Sequence, residues 1–158
     1  MAKSLEAKGK KILKDTFKEY LSRLAFEIRR EIINNFDSEK DVDGDRFKRL
    51  KKPTEDSRKS LGFPAKRPIL RRTGKLRNSI SVKSNFKSKN VEIISSVKYA
   101  KHLNDGRSNM DPRRIIETPK ILQPDGAKSQ KLIAEFADKL EKRLIKNLGL
   151  DIYINAHK

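Results

Sequence analysis

The feature that most constrains this chain is an apolar stripe that recurs every three or four positions: Leu13, Phe17, Tyr20, Leu21, Leu24, Ile28 and Ile32. That period places the stripe on one face of a single long helix over about 5–36. Lys14, Lys18, Arg23 and Arg30 fall off the stripe, and Asn34-Asn35 is the expected stop. Surface pairing does not account for the helix, because Glu19 faces Arg23 favourably while Glu27 faces Glu31 unfavourably. Packing of the stripe must hold it, so the rest of the chain has to supply a cover. A second stripe, Leu132, Ile133, Phe136, Leu140, Leu144 and Leu148, predicts another helix over 127–148, ended by Gly149.

Between the two helices the pattern changes. Residues 37–68 read as a long loop, with Asp43-Gly44 as a turn and Pro53, Pro64 and Pro68 as breakers. Thr54-Glu55-Asp56 caps a short helix running to Leu61, which Gly62 ends. The loop carries many charges and few anchors beyond Phe47, Leu50, Leu61 and Phe63, so neighbouring molecules are expected to order it. Leu70 to Ile80 reads as a turn and short helix, capped by Thr73, with Leu76 and Ile80 facing inward. Ile80-Ser81-Val82-Lys83 and Val91-Glu92-Ile93-Ile94-Ser95, with a turn between them, predict an antiparallel hairpin. A short helix follows over 98–104, with Gly106 as its left-handed cap, and Arg113-Arg114-Ile115-Ile116 reads as a further strand. The fold class is therefore α+β: a small antiparallel sheet packed against a long N-terminal helix, with a second long helix near the C-terminus. One domain spans 1–150, and 151–158, with Asp151-Ile152-Tyr153-Ile154, forms an arm or a strand added to a neighbour.

Composition limits what this domain does. Of 158 residues, 35% are hydrophobic and 38% charged, with a mean hydropathy of -0.81, which points to one modest core. The 39 Lys and Arg against 21 Asp and Glu give a formal charge of +18. Repulsion at that charge favours contact with a polyanion or with acidic neighbours. The absence of cysteine excludes disulfides, thiolate metal sites and cysteine nucleophiles. No run approaches the length of a membrane span and no apolar leader follows Met1-Ala2-Lys3-Ser4, so synthesis in the cytoplasm is expected.

Catalytic constellations are missing. His102 and His157 are the only histidines, and His102 with Asp105, three residues apart, is a common surface arrangement rather than an acid–base pair. Asp41-Val42-Asp43-Gly44-Asp45 has the look of a calcium loop, but Leu50 stands where the bidentate glutamate belongs. Thr73-Gly74-Lys75 lacks the upstream glycine of a phosphate-binding loop. What remains is a cluster of six cations in twelve residues, Lys66, Arg67, Arg71, Arg72, Lys75 and Arg77. It reads equally as a surface for phosphate backbones and as a solvated loop facing acidic proteins. Aromatics are only 6% and tryptophan is absent, so nucleic-acid contact would be to backbone, not to bases.

Three segments in order carry a family resemblance. Gly44-Asp45-Arg46-Phe47-Lys48-Arg49-Leu50-Lys51-Lys52-Pro53-Thr54 comes first, and then a segment marked by Leu70, Thr73, Gly74, Leu76, Ser79 and Ile80. After the strand pair come Tyr99-Ala100 and the turn Asn104-Asp105-Gly106. Together they resemble the phage virion morphogenesis family of tail completion and head–tail joining proteins. The usual proline-rich strand entry stands here as Pro112-Arg113-Arg114-Ile115-Ile116, without its second proline and phenylalanine. The resemblance covers about 43–116. It implies a structural virion subunit with no enzymatic activity and no cofactor. In that reading copies form a six- or twelve-fold ring at the head–tail junction, as neck, connector, tail terminator or tail completion protein. The ring would surround the DNA path and touch neighbouring connector and tail proteins, with assembly in the host cytoplasm. Leu70, Thr73, Gly74, Leu76, Ser79, Tyr99, Asn104, Gly106 and Arg113 are its structural positions. The competing reading is a basic nucleic-acid-binding protein without sequence specificity, which explains the charge but not the paired motifs.

Overall fold

The structure, a computed structural model, describes residues 2–66, 68–107 and 110–148. It begins with helix α1, Ala2–Ser38. Leu21, Ala25, Ile28, Ile32 and Phe36 are buried along one face, at spacings of three and four. Leu13, expected on that stripe, is 50% exposed. The stripe drifts around so long a helix, and Thr16 takes the buried position, its hydroxyl donating to the Ile12 carbonyl at 2.8 Å. The helix also runs past Asn34-Asn35, because burying Phe36 rewards another turn. It stops at Glu39, which adopts a left-handed φ of 57°. The Lys40 N–H then reaches back to the Asn35 carbonyl at 2.9 Å, the hydrogen bond of a Schellman ending.

Two elements cover α1. The first is a hairpin, β1 (Ile80–Asn85) and β2 (Asn90–Ser95), antiparallel with Ile80 opposite Ser95 and Asn85 opposite Asn90. Ile80 is buried, and Val82, Val91 and Ile93 pack against the core from the same sheet. The second is helix α5, Ala127–Leu148, which lies antiparallel to α1. Lys128 meets Glu27, Lys139 and Arg143 meet Glu19, and Leu148 reaches Gly9. On α5 Leu132 is buried, whereas Ile133 is 41% exposed and does not belong to the packed stripe. Phe17 and Tyr20 of α1, Phe136 of α5 and Phe86 at the hairpin tip form one aromatic cluster, so all three elements meet there.

Among the described residues, three short α-helices, α2 (Lys52–Ser60), α3 (Lys75–Ser79) and α4 (Ala100–Asp105), and one turn of 3-10 helix at Lys120–Leu122 make up the remaining helices. α2 starts two residues before Thr54, with Pro53 in its first turn, where the missing N–H costs nothing. Segment 37–68, expected to be ordered by neighbours, carries internal anchors in buried Val42, Phe47 and Arg58. Residues 113–116, expected as a strand, build no ladder. Their backbone groups are taken one at a time by Val42, Leu103 and the Asn104 side chain. Arg67 and the arm 151–158, with His157, lie outside the described residues.

The α1–α5 interface centres on a buried carboxylate. Glu27 is 2% exposed and meets Arg30 at 2.6 Å, Lys128 at 3.1 Å and Arg23 at 3.3 Å. Lys128 also pairs with Glu31, so the like-charged Glu27–Glu31 neighbours are bridged by one ammonium. Burial alone would raise the Glu27 carboxyl, but Lys128, then Arg30 and Arg23, outweigh it and hold it below the ordinary value. Glu27→Gln is expected to lower the unfolding free energy by about 2 kcal/mol, less than for a fully buried pair because the cations reach water. Chemical denaturation measures this. A carboxyl with a depressed native value contributes stability in full above its unfolded value and loses it as pH falls through the native value. The thermal midpoint should therefore fall below about pH 4.5, and fall less steeply in Glu27→Gln.

Candidate partner-binding groove

The residues that carry the family resemblance converge on one side of the molecule, beyond the C-terminal end of α1. The entry to this region is fixed by two buried polar groups. The Glu39 carboxylate, 7% exposed, accepts the Ile69 N–H at 2.8 Å. Arg58 of α2, 3% exposed, donates to the carbonyls of Pro68 at 2.8 Å and Ile69 at 3.3 Å. The chain therefore enters the Leu70–Ile80 segment with its backbone held from both sides.

Thr73 does not cap α3 as the sequence predicts. Gly74 occupies the cap position in the left-handed region, φ 72°, and the Thr73 hydroxyl accepts only a long bond, 3.4 Å, from the Lys75 N–H. Leu76 is buried beneath the turn. The Ser79 hydroxyl lies 2.7 Å from the Leu76 carbonyl and 2.8 Å from the Ser95 hydroxyl, joining the end of α3 to the far end of β2.

The second motif is built around Asn104. Its Oδ1 accepts the N–H groups of both Ile115 and Ile116 at 2.9 Å, and its Nδ2 donates to Glu117 at 3.2 Å. Arg114 in turn holds Glu117, and this contact comes first among the causes that keep the Glu117 carboxyl below its usual range. Gly106 then reverses the chain with φ 78° and ψ 178°, a positive-φ extended conformation rather than the expected left-handed cap.

Between these motifs lie two adjoining hollows of about 340 and 550 Å³ that share Ile69, Leu70, Arg72 and Leu103. Leu50 and Met110 extend the apolar floor at one end, and Leu76 and the half-exposed Tyr99 at the other. The rim of the first hollow carries Lys48, Arg49, Lys51, Arg72 and Arg113, with Asp111 as its one acid. Arg113 lies over the Phe47 ring at 5.9 Å, and Arg72 over Phe63 at 5.4 Å. Burial lowers the Arg113 pKa against the pull of Asp111.

The predicted basic cluster is divided. Arg71 and Arg77 turn toward α1 and both bind Asp37, at 2.8 Å and 2.9 Å. Arg77 foremost holds the Asp37 carboxyl below its ordinary value, against the effect of burial. These two cations fasten the turn to the end of the helix. Arg72 and Lys75 line the hollows, while Lys66 is exposed. The sequence did not point to Lys48, Arg49 or Arg58 as groove residues, although their spacing on either side of Pro53 was visible. His102 and Asp105 are both exposed on α4. Asp41 closes a tight turn by accepting the N–H groups of Asp43 and Asp45 at 3.0 Å. The groove offers cations and apolar surface, a chemistry of binding.

Residues 1–106 match the family model described as "Bacteriophage HK97-gp10, putative tail-component". The chain therefore belongs to the HK97-gp10-like family of phage tail components. The matched region holds all three motif segments and ends at Gly106. Membership gives the chain a structural role in the virion, among other phage tail and head proteins, in a family that is not a known enzyme class. No curated protein and no solved structure gives a match to this chain. Among the described residues, no helix is long and apolar enough to cross a membrane.

The two motif glycines differ in what surrounds them. A Cβ on Gly106 would stand 2.8 Å from the Met110 carbonyl oxygen and the Pro112 nitrogen, both backbone, whereas one on Gly74 would meet only Asn78 at 3.7 Å. Gly74→Ala should cost about 1 kcal/mol, the strain of positive φ alone. Gly106→Ala should cost roughly 3 kcal/mol or more, since backbone has to move as well. Denaturant midpoints of the two variants check the order.

Proposed function

We propose that the chain is a ring-forming subunit of the phage head–tail junction, a neck, terminator or tail completion protein whose ring joins head to tail around the DNA path. The observation that carries this reading is an unfinished sheet. Among the described residues the sheet has two strands, fewer than such a sheet needs for stability by itself. α1 supports one face, and the edges remain to be paired. Beside β1 lies an open hollow of about 510 Å³ lined by Ala25, Phe26 and Arg29 of α1 and by Val82 and Ser84. Phe26 is 60% exposed there. A large aromatic next to an unpaired strand edge suits packing against the next copy, and repeating such a head-to-tail contact closes a ring when its rotation permits.

Electron microscopy of the purified protein without DNA is expected to show closed rings of uniform diameter, with six or twelve subunits. Phe26→Asp should leave the fold intact, since the side chain is exposed, and should shift the sample to monomers by sedimentation velocity. Monomers in the wild type that coat duplex DNA and release it as salt rises would overturn the ring in favour of a general nucleic-acid-binding protein.

A further inference from the structure

The groove beyond α1 holds arginines whose hydrogen-bonding edges are not used by the fold. Arg72 and Arg113 are positioned by the faces of Phe63 and Phe47. A guanidinium held over a ring face is steadied there without spending its N–H groups as hydrogen-bond donors. Arg113 Nη1 is buried and has no hydrogen-bond partner. A charge buried with too few acceptors is costly, and an anion bound at the side of the same guanidinium that faces the hollow would offset that cost. Arg58, by contrast, binds the Pro68 and Ile69 carbonyls and belongs to the frame.

The floor decides which anion. Leu50, Leu70, Leu103 and Met110 give the groove an apolar base that a phosphodiester backbone cannot use. At about 340 Å³ the hollow accommodates one or two side chains and is far too small for a duplex. A second copy of this chain is a poor occupant of this cationic rim, because its 39 Lys and Arg far outnumber its 21 Asp and Glu. We infer that the groove docks an acidic segment of a different protein, with a carboxylate bound by Arg113 and Arg72 and an adjacent aliphatic side chain on the Leu70–Leu103 floor. This inference rests on the reading of the chain as a particle component with protein neighbours, but not on the ring.

The test uses the full chain and fluorescence anisotropy at about 0.15 M salt. The probe is a short labelled peptide of alternating glutamate and leucine; an all-glutamate peptide and a short DNA duplex serve as comparators. The mixed peptide is expected to bind about tenfold more tightly than the all-glutamate peptide. Arg72→Met, at an exposed position, and Arg113→Met should each weaken it about tenfold. Leu103→Ser should erase the preference for leucine. Equal affinity for the two peptides, unchanged binding in Arg72→Met, or displacement of the peptide by duplex DNA at lower concentration would each overturn the proposal. Ring formation by the same samples, read by sedimentation, separates the two ideas. Peptide binding without rings would overturn only the ring, and rings without peptide binding only the docking groove.

Discussion

A single glutamate in a left-handed conformation joins the two halves of this molecule. Glu39 ends α1, and the same side chain accepts the N–H of Ile69, thirty residues further on. A left-handed glutamate costs about 1 kcal/mol relative to an ordinary conformation, and glycine would avoid that cost. Glycine would also leave the Ile69 N–H without its acceptor in a buried site. The position thus trades backbone ease for a fixed distance between the helix end and the turn that follows. Arg58 fastens Pro68 and Ile69 from the other side, and Arg71 and Arg77 repeat the fastening at the surface through Asp37. The groove exists because this junction holds its wall in place.

The parts legible in the sequence are those where periodicity and burial agree. The two long helices and the hairpin follow from apolar spacing, and the structure has them. Legibility failed where a buried position is polar or where backbone is held by side chains. Thr16 and Glu27 are buried on α1, yet no hydropathy pattern marks them, while Leu13 and Ile133 fit the pattern and face water. Residues 113–116 have the composition of a strand, but Asn104 takes two of their N–H groups and leaves no ladder to form. The basic cluster was visible as a count of charges; its division between Asp37 and the groove depends on contacts between residues some forty positions apart.

Charge sets the terms on which such a subunit associates. Among the described residues, Lys128, Lys139 and Arg143 hold α5 against α1, and Arg71 and Arg77 hold the turn there. A ring of six copies would gather a formal charge on the order of +100. Such an assembly needs counter-charge close by, from DNA in the channel or from acidic surfaces on either side. A contact that closed such a ring would therefore have to be largely apolar, as an exposed phenylalanine beside a strand edge is.

The placement of Arg72 and Arg113 over aromatic rings has a consequence for how fast and how selectively the proposed groove would work. A free arginine side chain loses about 2 kcal/mol of rotamer entropy when it is immobilised. Here much of that ordering accompanies folding, so an incoming partner does not have to impose it. The geometry is also fixed before contact, which rewards an anion of the right spacing and penalises one that fits only after rearrangement. A surface of mobile lysines would hold any acidic neighbour loosely. Two braced guanidinium groups over an apolar floor hold few, and tell them apart by shape.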